Sequence, residues 1–209
     1  MNKLNQKLIK KCRYLYKANR TKLLIRRILN QDRIIKLELG AGCKKGINGW
    51  LSMDTEKITD LYWDLRNGIP FPDNSVDIIY ASHVLEHFSF DQICDLIKEC
   101  RRVLIPKGIF SLCVPNASLF IKAYVNGEKI IGEGISNHYF EPAYYNTGKI
   151  DIVNYIAYMC GQHKYMFDEE NLINILLKCG FRDTKLRPFN SEIDLEHRKW
   201  ESIYAIAEK

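Results

Sequence analysis

The 209-residue sequence has no apolar run that approaches the roughly 18 residues of a membrane-spanning helix. Its N-terminus also lacks the apolar core of a secretory signal peptide, because Lys7, Lys10 and Lys11 interrupt the stretch where that core would lie. We therefore expect a cytoplasmic protein. The length suits one domain that is large enough to bury a substantial core.

The sequence also lacks the cysteine pattern of a zinc or redox site. Its seven cysteines are an odd number, and no two of them have the C-x-x-C spacing. Several lie inside apolar patterns, as Cys113 does in FSLCV and Cys179 in LLKCGF. We expect reduced thiols packed in the core, as in a protein of a reducing compartment.

Acidic residues are missing from residues 1–31, which carry ten lysines and arginines. The rest of the chain holds 21 basic and 25 acidic residues, so only this N-terminal extension is strongly basic. Its apolar residues recur at helical spacing, and Asn19 and Thr21 offer a break, which predicts two short amphipathic helices. Such an extension can pack on the domain, dock on an anionic membrane or a partner, or bind nucleic acid. Packing is the favoured interpretation.

Apolar runs and helical patterns alternate through residues 32–209. Such alternation predicts an α/β domain with a doubly wound, mostly parallel, Rossmann-like sheet of the seven-stranded type. The last two predicted strands follow each other closely and should add an antiparallel edge. The predicted strands lie at 34–39, 51–54, 61–65, 76–82, 109–114, 181–187 and 202–207, and the clearest helices lie after residue 82 and at 168–179, with Gly180 as the C-cap of the latter.

Residues 117–162 break this alternation with aromatic residues set among glycine, asparagine and proline. A loop region of this length inside a compact domain is usually functional. We favour a lid or wall over an acceptor substrate, and the alternative is a surface insertion packed by its own aromatic residues. These are Tyr124, Tyr139, Phe140, Tyr144, Tyr145, Tyr155 and Tyr158.

A glycine turn directly follows the first predicted strand. The segment KLELGAG places Gly40, Ala41 and Gly42 at the carboxyl end of that strand, where ligands bind in open α/β sheets. Glycine lets a ligand approach the backbone because no Cβ stands in the way. Glu38, two residues before the first glycine, can accept hydrogen bonds from a cationic amine or from loop amides. The pattern predicts a ligand site at this turn.

The second predicted strand ends in Asp54, where a carboxylate can hold the two hydroxyls of a ribose. In dinucleotide-binding proteins this acid lies about 20 residues beyond the glycines, whereas Asp54 lies only 12 residues beyond Gly42. The short spacing leaves little room for a helix whose N-terminus would hold a pyrophosphate. It therefore favours a nucleoside ligand without phosphates, such as S-adenosylmethionine, over NAD.

A third acid, Asp64, follows ten residues later and precedes Leu65 and a turn. Its carboxylate can accept the exocyclic amine of an adenine while the neighbouring backbone amide meets a ring nitrogen. A single aspartate at such a place is often only a turn former. The order and spacing of the three elements together favour the ligand interpretation.

These segments resemble class I S-adenosylmethionine-dependent methyltransferases. The likeness lies in LELGAG, GWLSMD, WDLRNGIPFPDNSVDIIYASHVLEH and LIKECRRVLIPKGIFSLCVPN, and later in HKYMFDEENLINILLKCGF. It is greatest to the short, type 11-like branch that is often associated with polysaccharide and cell-surface glycan synthesis. It covers about residues 34–115 and 163–207.

The resemblance implies S-adenosylmethionine as cofactor and assigns places to the residues named above. It implies Glu38 and the turn Gly40-Ala41-Gly42 at the methionine moiety, Asp54 at the ribose, and Asp64 with Leu65 at the adenine. Two departures stand out. Lys107 replaces a glycine that is common in the turn of the family, and the helix after the glycine turn is nearly missing.

His83-Val84-Leu85-Glu86-His87 matches the H-x-x-E-H pattern of inverted zinc peptidases. His83, however, directly follows a predicted strand at the junction where the cofactor of the family lies, and no feature of the sequence identifies a third ligand. We therefore expect no metal and place His83 among the residues that line the site. Because histidine suits a general base near neutral pH, the candidates for that role are His83, then His163, then His138.

The favoured function is O-methylation of a sugar or glycan hydroxyl, with the sugar implied by the resemblance alone. The alternatives are a lipid-linked or small-molecule acceptor, with residues 1–31 on a membrane surface, and a non-catalytic cofactor-binding module. A nucleic-acid acceptor is disfavoured, because ASHVLEH stands where enzymes that methylate base amines carry an Asn/Asp-Pro-Pro-aromatic run. The basic extension also has few of the interleaved aromatic residues on which single-stranded bases stack.

Overall fold

The computed structural model describes residues 3–127 and 147–209, in which seven strands form one sheet. The order across the sheet is the third, second, first, fourth, fifth, seventh and sixth strand of the chain. The first five run parallel, and the seventh pairs antiparallel with both the fifth and the sixth. The strands are β1 (Lys36–Leu39), β2 (Trp50–Asp54), β3 (Leu61–Tyr62), β4 (Val76–Ser82), β5 (Leu104–Pro115), β6 (Arg182–Leu186) and β7 (Ser202–Glu208).

The mostly parallel Rossmann-like sheet and its antiparallel edge confirm the predicted fold class. Strand β5 is longer than predicted, because it includes the expected turn at Pro106-Lys107-Gly108 as an irregularity in its pairing with β4. Five α-helices accompany the sheet among the described residues. They are α1 (Lys3–Leu29), α2 (Phe90–Val103), α3 (Ala117–Asn126), α4 (Asp151–Tyr158) and α5 (Glu169–Lys178).

The two helices that flank the candidate site have clear sequence causes. In α2, the apolar residues Ile93, Ile97 and Cys100 recur at helical spacing and are fully buried, so one face of the helix packs on the core. Helix α5 begins after Asp168, whose carboxylate accepts the backbone N–H of Asn171 at 2.8 Å. It ends with Cys179 as C-cap, one residue before the predicted Gly180, which follows at φ +93°.

The N-terminal extension is one continuous helix, so the predicted break at Asn19 and Thr21 was wrong. Thr21 is buried, and its hydroxyl donates to the carbonyl of Tyr62 in β3 at 3.0 Å, so it anchors α1 to the sheet edge instead of ending a helix. Ala18 and Ile25 are buried beside it, which supports the packing interpretation for this half of the helix. No helix of the described residues is long and apolar enough to cross a membrane.

The aromatic segment 117–162 holds two helices, α3 and α4, where we expected a long loop. They pack through Phe120 and Ile156, which form a small separate cluster of buried residues with Ala117. The amphipathic pattern of each helix was masked by the glycines and aromatic residues around it. His138, Tyr139, Phe140, Tyr144 and Tyr145 lie outside the described residues.

The cysteines divide into two groups. Cys100, Cys113 and Cys179 are buried as predicted, and Cys94 is half-buried. The expectation of a core position was wrong for three others, which are exposed because they lie on α1, in the loop after β1 and after α4. These are Cys12, Cys43 and Cys160.

A buried ion pair ties the end of β6 to the segment before β7. The guanidinium of Arg187 donates to both carboxylate oxygens of Asp194, at 2.6 and 2.7 Å, and the Asp194 side chain is fully buried. Tyr80 in β4 donates its hydroxyl to the same carboxylate at 2.9 Å. The pair therefore links the antiparallel edge to the parallel part of the sheet.

Replacing Asp194 with alanine should lower the free energy of unfolding by about 3–5 kcal/mol, because it leaves a buried guanidinium without its partner. Urea unfolding of the variant measures the loss. Glu196→Ala is the matched control, since its exposed carboxylate pairs only with Lys199 at 3.3 Å and should be worth less than about 1 kcal/mol. Equal losses in the two variants would contradict a structural role for the buried pair.

Candidate functional site

A cleft of about 370 Å³ opens at the carboxyl ends of the parallel strands β1 to β4. This is the edge of an open α/β sheet where ligands bind. Most of its lining comes from the ends of those strands and from the residues that directly follow them. The lining residues are Gly40, Asp54, Thr55, Trp63, Asp64, Leu65, Arg66, His83, Val84, His87, Phe88 and Lys164.

The glycine turn connects β1 to β2 without a helix, as the short spacing predicted. Residues 40–49, all of which the structure describes, contain only turns and irregular backbone. Gly40 and Gly42 have φ values of +60° and +67°, a region that only glycine adopts readily. At Gly40 a Cβ would also lie 2.5 Å from Cγ2 of Val84, so the turn sits directly against the residue that follows β4 and His83.

The carboxylate of Asp54 closes the glycine turn. One oxygen accepts the backbone N–H of Gly42 at 2.8 Å, and the other accepts those of Thr55 and Glu56 at 2.6 and 3.1 Å. A carboxylate offers about four lone-pair positions, so three backbone bonds leave it some capacity for a hydroxyl donor. Asp54 thus lines the cleft at the tip of β2, where the sequence places it.

Asp64 lies at the end of β3 and caps the single 3₁₀ turn Leu65–Asn67. Arg66 grips its carboxylate with two guanidinium bonds of 2.9 and 2.6 Å, and this side-chain hydrogen bonding is the main cause that lowers the pKa of Asp64. The Arg66 side chain is 62% exposed and so can swing away into solvent. Leu65 is buried and lines the same cleft as Asp64.

Glu38 lies in β1 and pairs with the ammonium of Lys44 at 2.7 Å. It does not belong to the lining of the cleft, and neither do Ala41 and Gly42. The structure therefore brings Gly40, Asp54, Asp64, Leu65 and His83 together in the lining of one cleft, whereas Glu38, Ala41 and Gly42 lie outside that lining.

His83 follows the last residue of β4 and adopts φ +53°, an unusual value for a residue with a side chain. Its Nε2 lies 2.7 Å from the hydroxyl of Ser202 in β7, and the side chain is only 12% exposed. Burial lowers the pKa of His83 well below its usual value, with the charge of Arg198 acting in the same direction. The imidazole is therefore neutral at the mouth of the cleft.

His163 is buried and does not belong to the lining of the cleft, but it packs against His87, which does. The two rings meet edge to face, with their centroids 5.3 Å apart. Burial lowers the pKa of His163, and burial raises the pKa of the neighbouring Glu86 to about 8. The sequence thus predicted His163 as a candidate base, but the structure does not place it in the lining of the cleft.

Several lining residues escaped the sequence prediction. Arg66, Lys164 and Thr55 carry no motif of their own, and only their neighbours Asp64, His163 and Asp54 would have drawn attention to them. Lys164 lies before α5 and reaches the cleft because its backbone N–H bonds to the carbonyl of Glu86 at 2.8 Å. Such a contact between remote segments leaves no periodic signal.

Known proteins match both the sequence and the fold. The family described as "Methyltransferase domain" matches residues 54–112. A curated protein of Mycolicibacterium smegmatis, named a probable S-adenosylmethionine-dependent methyltransferase, is 41% identical over 61 residues, which are 27% of this chain. That match spans only 23% of the length of the relative.

Solved structures of methyltransferases have the same architecture. One from Archaeoglobus fulgidus, titled a SAM-dependent methyltransferase, has a TM-score of 0.51 at 16% identity and covers 92% of this chain and 94% of its own. One from Mesorhizobium loti, titled an S-adenosylmethionine-dependent methyltransferase, has a TM-score of 0.51 at 15% identity and covers 89% and 96%. The fold is that of class I S-adenosylmethionine-dependent methyltransferases.

Alanine at Gly40 should destabilise the methyltransferase fold more than alanine at Gly42. Both substitutions force a residue with a side chain to a positive φ, which costs about 1–2 kcal/mol. Only at Gly40 does the new Cβ collide with Val84, which adds roughly 1–3 kcal/mol of overpacking, whereas nothing lies within 4 Å at Gly42. The free energies of unfolding of the two variants test this, and equal losses would show that the turn does not press on Val84.

Proposed function

We propose that this chain transfers a methyl group from S-adenosylmethionine to a hydroxyl of a sugar or glycan. One observation carries the proposal: Asp54 and Asp64 line a single cleft with Gly40, at the carboxyl ends of neighbouring parallel strands. The family match over residues 54–112 and the fold of the solved methyltransferases support the reaction class. Only the resemblance of the sequence to a branch that is often associated with glycan synthesis supports a sugar as the acceptor.

The residues of the cleft fit an adenosyl sulfonium. Gly40 lines the cleft without a side chain, and both its positive φ and its close contact with Val84 require glycine there. We assign Asp54 to the ribose hydroxyls and Asp64 with the backbone of Leu65 to the adenine. The turn Gly40-Ala41-Gly42 and Glu38 take the methionine moiety. The acids Glu38 and Asp64 are paired with Lys44 and Arg66, whose exposed side chains leave when the ligand binds.

The bound cofactor supplies an electrophilic methyl group, and the protein supplies position and a base. The acceptor oxygen forms the new O–C bond as the C–S bond breaks with its electron pair going to sulfur. We assign the hydroxyl proton to His83, whose neutral imidazole lines the cleft. In the tautomer whose Nε2 donates to Ser202, Nδ1 carries the lone pair that accepts the proton, and it lies 3.8 Å from Oε1 of Glu86. His163, which packs against His87, is the second candidate for the base.

A second candidate acceptor is a lipid-linked or small molecule at a membrane surface. The specific observation in its favour is the outer half of α1, where apolar side chains stand in solvent among basic residues. Leu8, Ile9, Leu15 and Tyr16 are between 49% and 66% exposed. A basic helix with exposed apolar residues can lie on an anionic bilayer.

Calorimetry should detect binding of S-adenosylhomocysteine, and Asp54→Asn should weaken it about 10- to 100-fold, as expected for losing charge-assisted hydrogen bonds worth about 1.5–3 kcal/mol. Asn keeps the size of the side chain and one acceptor oxygen for the N–H of Gly42, whereas its amide NH₂ loses the bonds from Thr55 and Glu56. Asp95→Ala is the control, since that exposed acid lies on α2 away from the cleft. Absence of binding, or equal binding by the parent and Asp54→Asn, would overturn the cofactor assignment.

A screen with labelled methyl donor should show transfer to free sugars, and His83→Gln should lower kcat by about 10²–10⁴-fold. Lipid-linked acceptors in anionic vesicles are screened beside the free sugars. Labelling of the vesicle acceptors alone would favour the membrane candidate. Binding of S-adenosylhomocysteine without transfer to any acceptor would favour a non-catalytic cofactor-binding module instead.

A further inference from the structure

Glu86 is a buried carboxylic acid without a partner, one turn beyond the end of β4. It is 1% exposed, and neither of its oxygens accepts a hydrogen bond from any residue in 3–127 or 147–209. A buried carboxylate is rarely left in this state, because losing water without gaining a donor or cation is unfavourable. The side chain therefore indicates that something absent from the protein chain itself completes its surroundings.

Three histidines approach this carboxylate. His83 Nδ1 lies 3.8 Å from Glu86 Oε1, while its Nε2 lies within hydrogen-bond distance of the Ser202 hydroxyl. His87 Nε2 lies 3.9 Å from Glu86 Oε1, and one ligand atom each of Glu86, His87 and His163 lie within 4.8 Å of one another. The 3.9 Å distance is too long for a hydrogen bond. It is close to the roughly 3.4 Å that separates two ligands of a tetrahedral ion held at about 2.1 Å. The side chains of Glu86, His87 and His163 therefore lie close together without hydrogen bonds between them, as the ligands of one ion do.

Both rings are oriented as metal-binding histidines are. Nδ1 of His163 lies 2.9 Å from the carbonyl of Ile156, and Nδ1 of His87 lies 3.1 Å from that of Gln162. A carbonyl oxygen only accepts, so each Nδ1 carries the proton and each Nε2 carries a free lone pair. Backbone acceptors of this kind fix the tautomer and direction of histidines that bind metals.

We propose that Glu86, His87 and His163 bind a divalent transition-metal ion. Two imidazoles and one carboxylate are the protein ligands of several zinc and non-haem iron sites, and they leave a coordination position open. His87 also lines the cleft, so the open position faces the space beside His83. The expectation of no metal rested on the place of His83 at the cofactor junction and on the lack of a third ligand in the sequence, and the set proposed here leaves out His83. His163 supplies that ligand from a segment far away in the sequence.

A role for the ion in the reaction rests on the proposed function. A metal beside the cleft would bind the acceptor hydroxyl and lower its pKa, which makes the oxygen a better nucleophile. It would also favour acceptors with two neighbouring hydroxyls, since both can reach one ion. Metal binding itself does not depend on this role and is tested without methyl transfer.

Titration of tag-free protein with Co²⁺, followed by visible absorption, tests the site directly. We expect one equivalent to bind and to give d–d bands typical of four- or five-coordinate nitrogen and oxygen ligation. The bands should be lost in Glu86→Gln and His87→Ala and kept in His197→Ala, a variant of an exposed histidine that does not belong to the cluster. Chelation by EDTA should remove them.

Thermal unfolding separates loss of the site from loss of the fold. At a Co²⁺ concentration about 100 times the Kd, the parent should melt roughly 5–10 °C higher than without metal. Without metal, Glu86→Gln should melt no lower than the parent, because it removes an unpartnered acid, and it should show no metal-dependent shift. His87→Ala provides the same comparison at a side chain that is 38% exposed.

Weak binding without defined stoichiometry would overturn the metal site, and so would bands that persist in Glu86→Gln and His87→Ala. A loss of the bands in His197→Ala would place the ion elsewhere on the surface and would also overturn it. S-adenosylhomocysteine binding, measured on the same samples, reports separately on the proposed function. Cobalt binding can therefore fail while the cofactor assignment stands, and the reverse also holds.

Discussion

The carboxylate of Asp54 holds the glycine turn against the end of β2, and the shape of the cleft depends on that contact. No helix follows β1, so the N–H of Gly42 has no helical role and donates to Asp54 at 2.8 Å instead. Gly40 donates to the carbonyl of Met53 at 2.9 Å and packs on Val84. The ends of β1, β2 and β4 therefore meet at one point, which fixes the floor on which a nucleoside would lie.

Much of this cleft could be predicted because its acids follow strands that are close in sequence. Asp54 and Asp64 each end or follow a short apolar run, and the carboxyl ends of parallel strands share one edge. The partners of the acids could not be predicted, since Arg66 and Lys44 are exposed side chains without periodicity. Thr21 misled the prediction of α1, because its hydroxyl forms a tertiary hydrogen bond that a sequence pattern does not display.

Two of the predicted acids are already paired with basic side chains, Asp64 in the cleft and Glu38 beside the glycine turn. Lys44 neutralises Glu38 and Arg66 neutralises Asp64, both through side chains that are about half or more exposed. Surface pairs of this kind are weak, so a ligand can replace them at little cost. A sulfonium ligand with an amino group brings its own positive charge to the acids, whereas a phosphate would find the same acids repulsive. The balance thus favours an adenosyl sulfonium over a dinucleotide.

Glu86 differs from Glu38 and Asp64, because it is buried and no exposed lysine or arginine of the described residues pairs with it. Its carboxyl is satisfied either by a proton, which its pKa of about 8 favours near neutral pH, or by a cation held with His87 and His163. A proton alone would leave the Nε2 lone pair of His87 3.9 Å from an acid that it does not reach. A metal ion uses the Nε2 lone pairs of both rings and the carboxylate at once. One bound ion at the wall of the cleft therefore explains the arrangement of all three side chains.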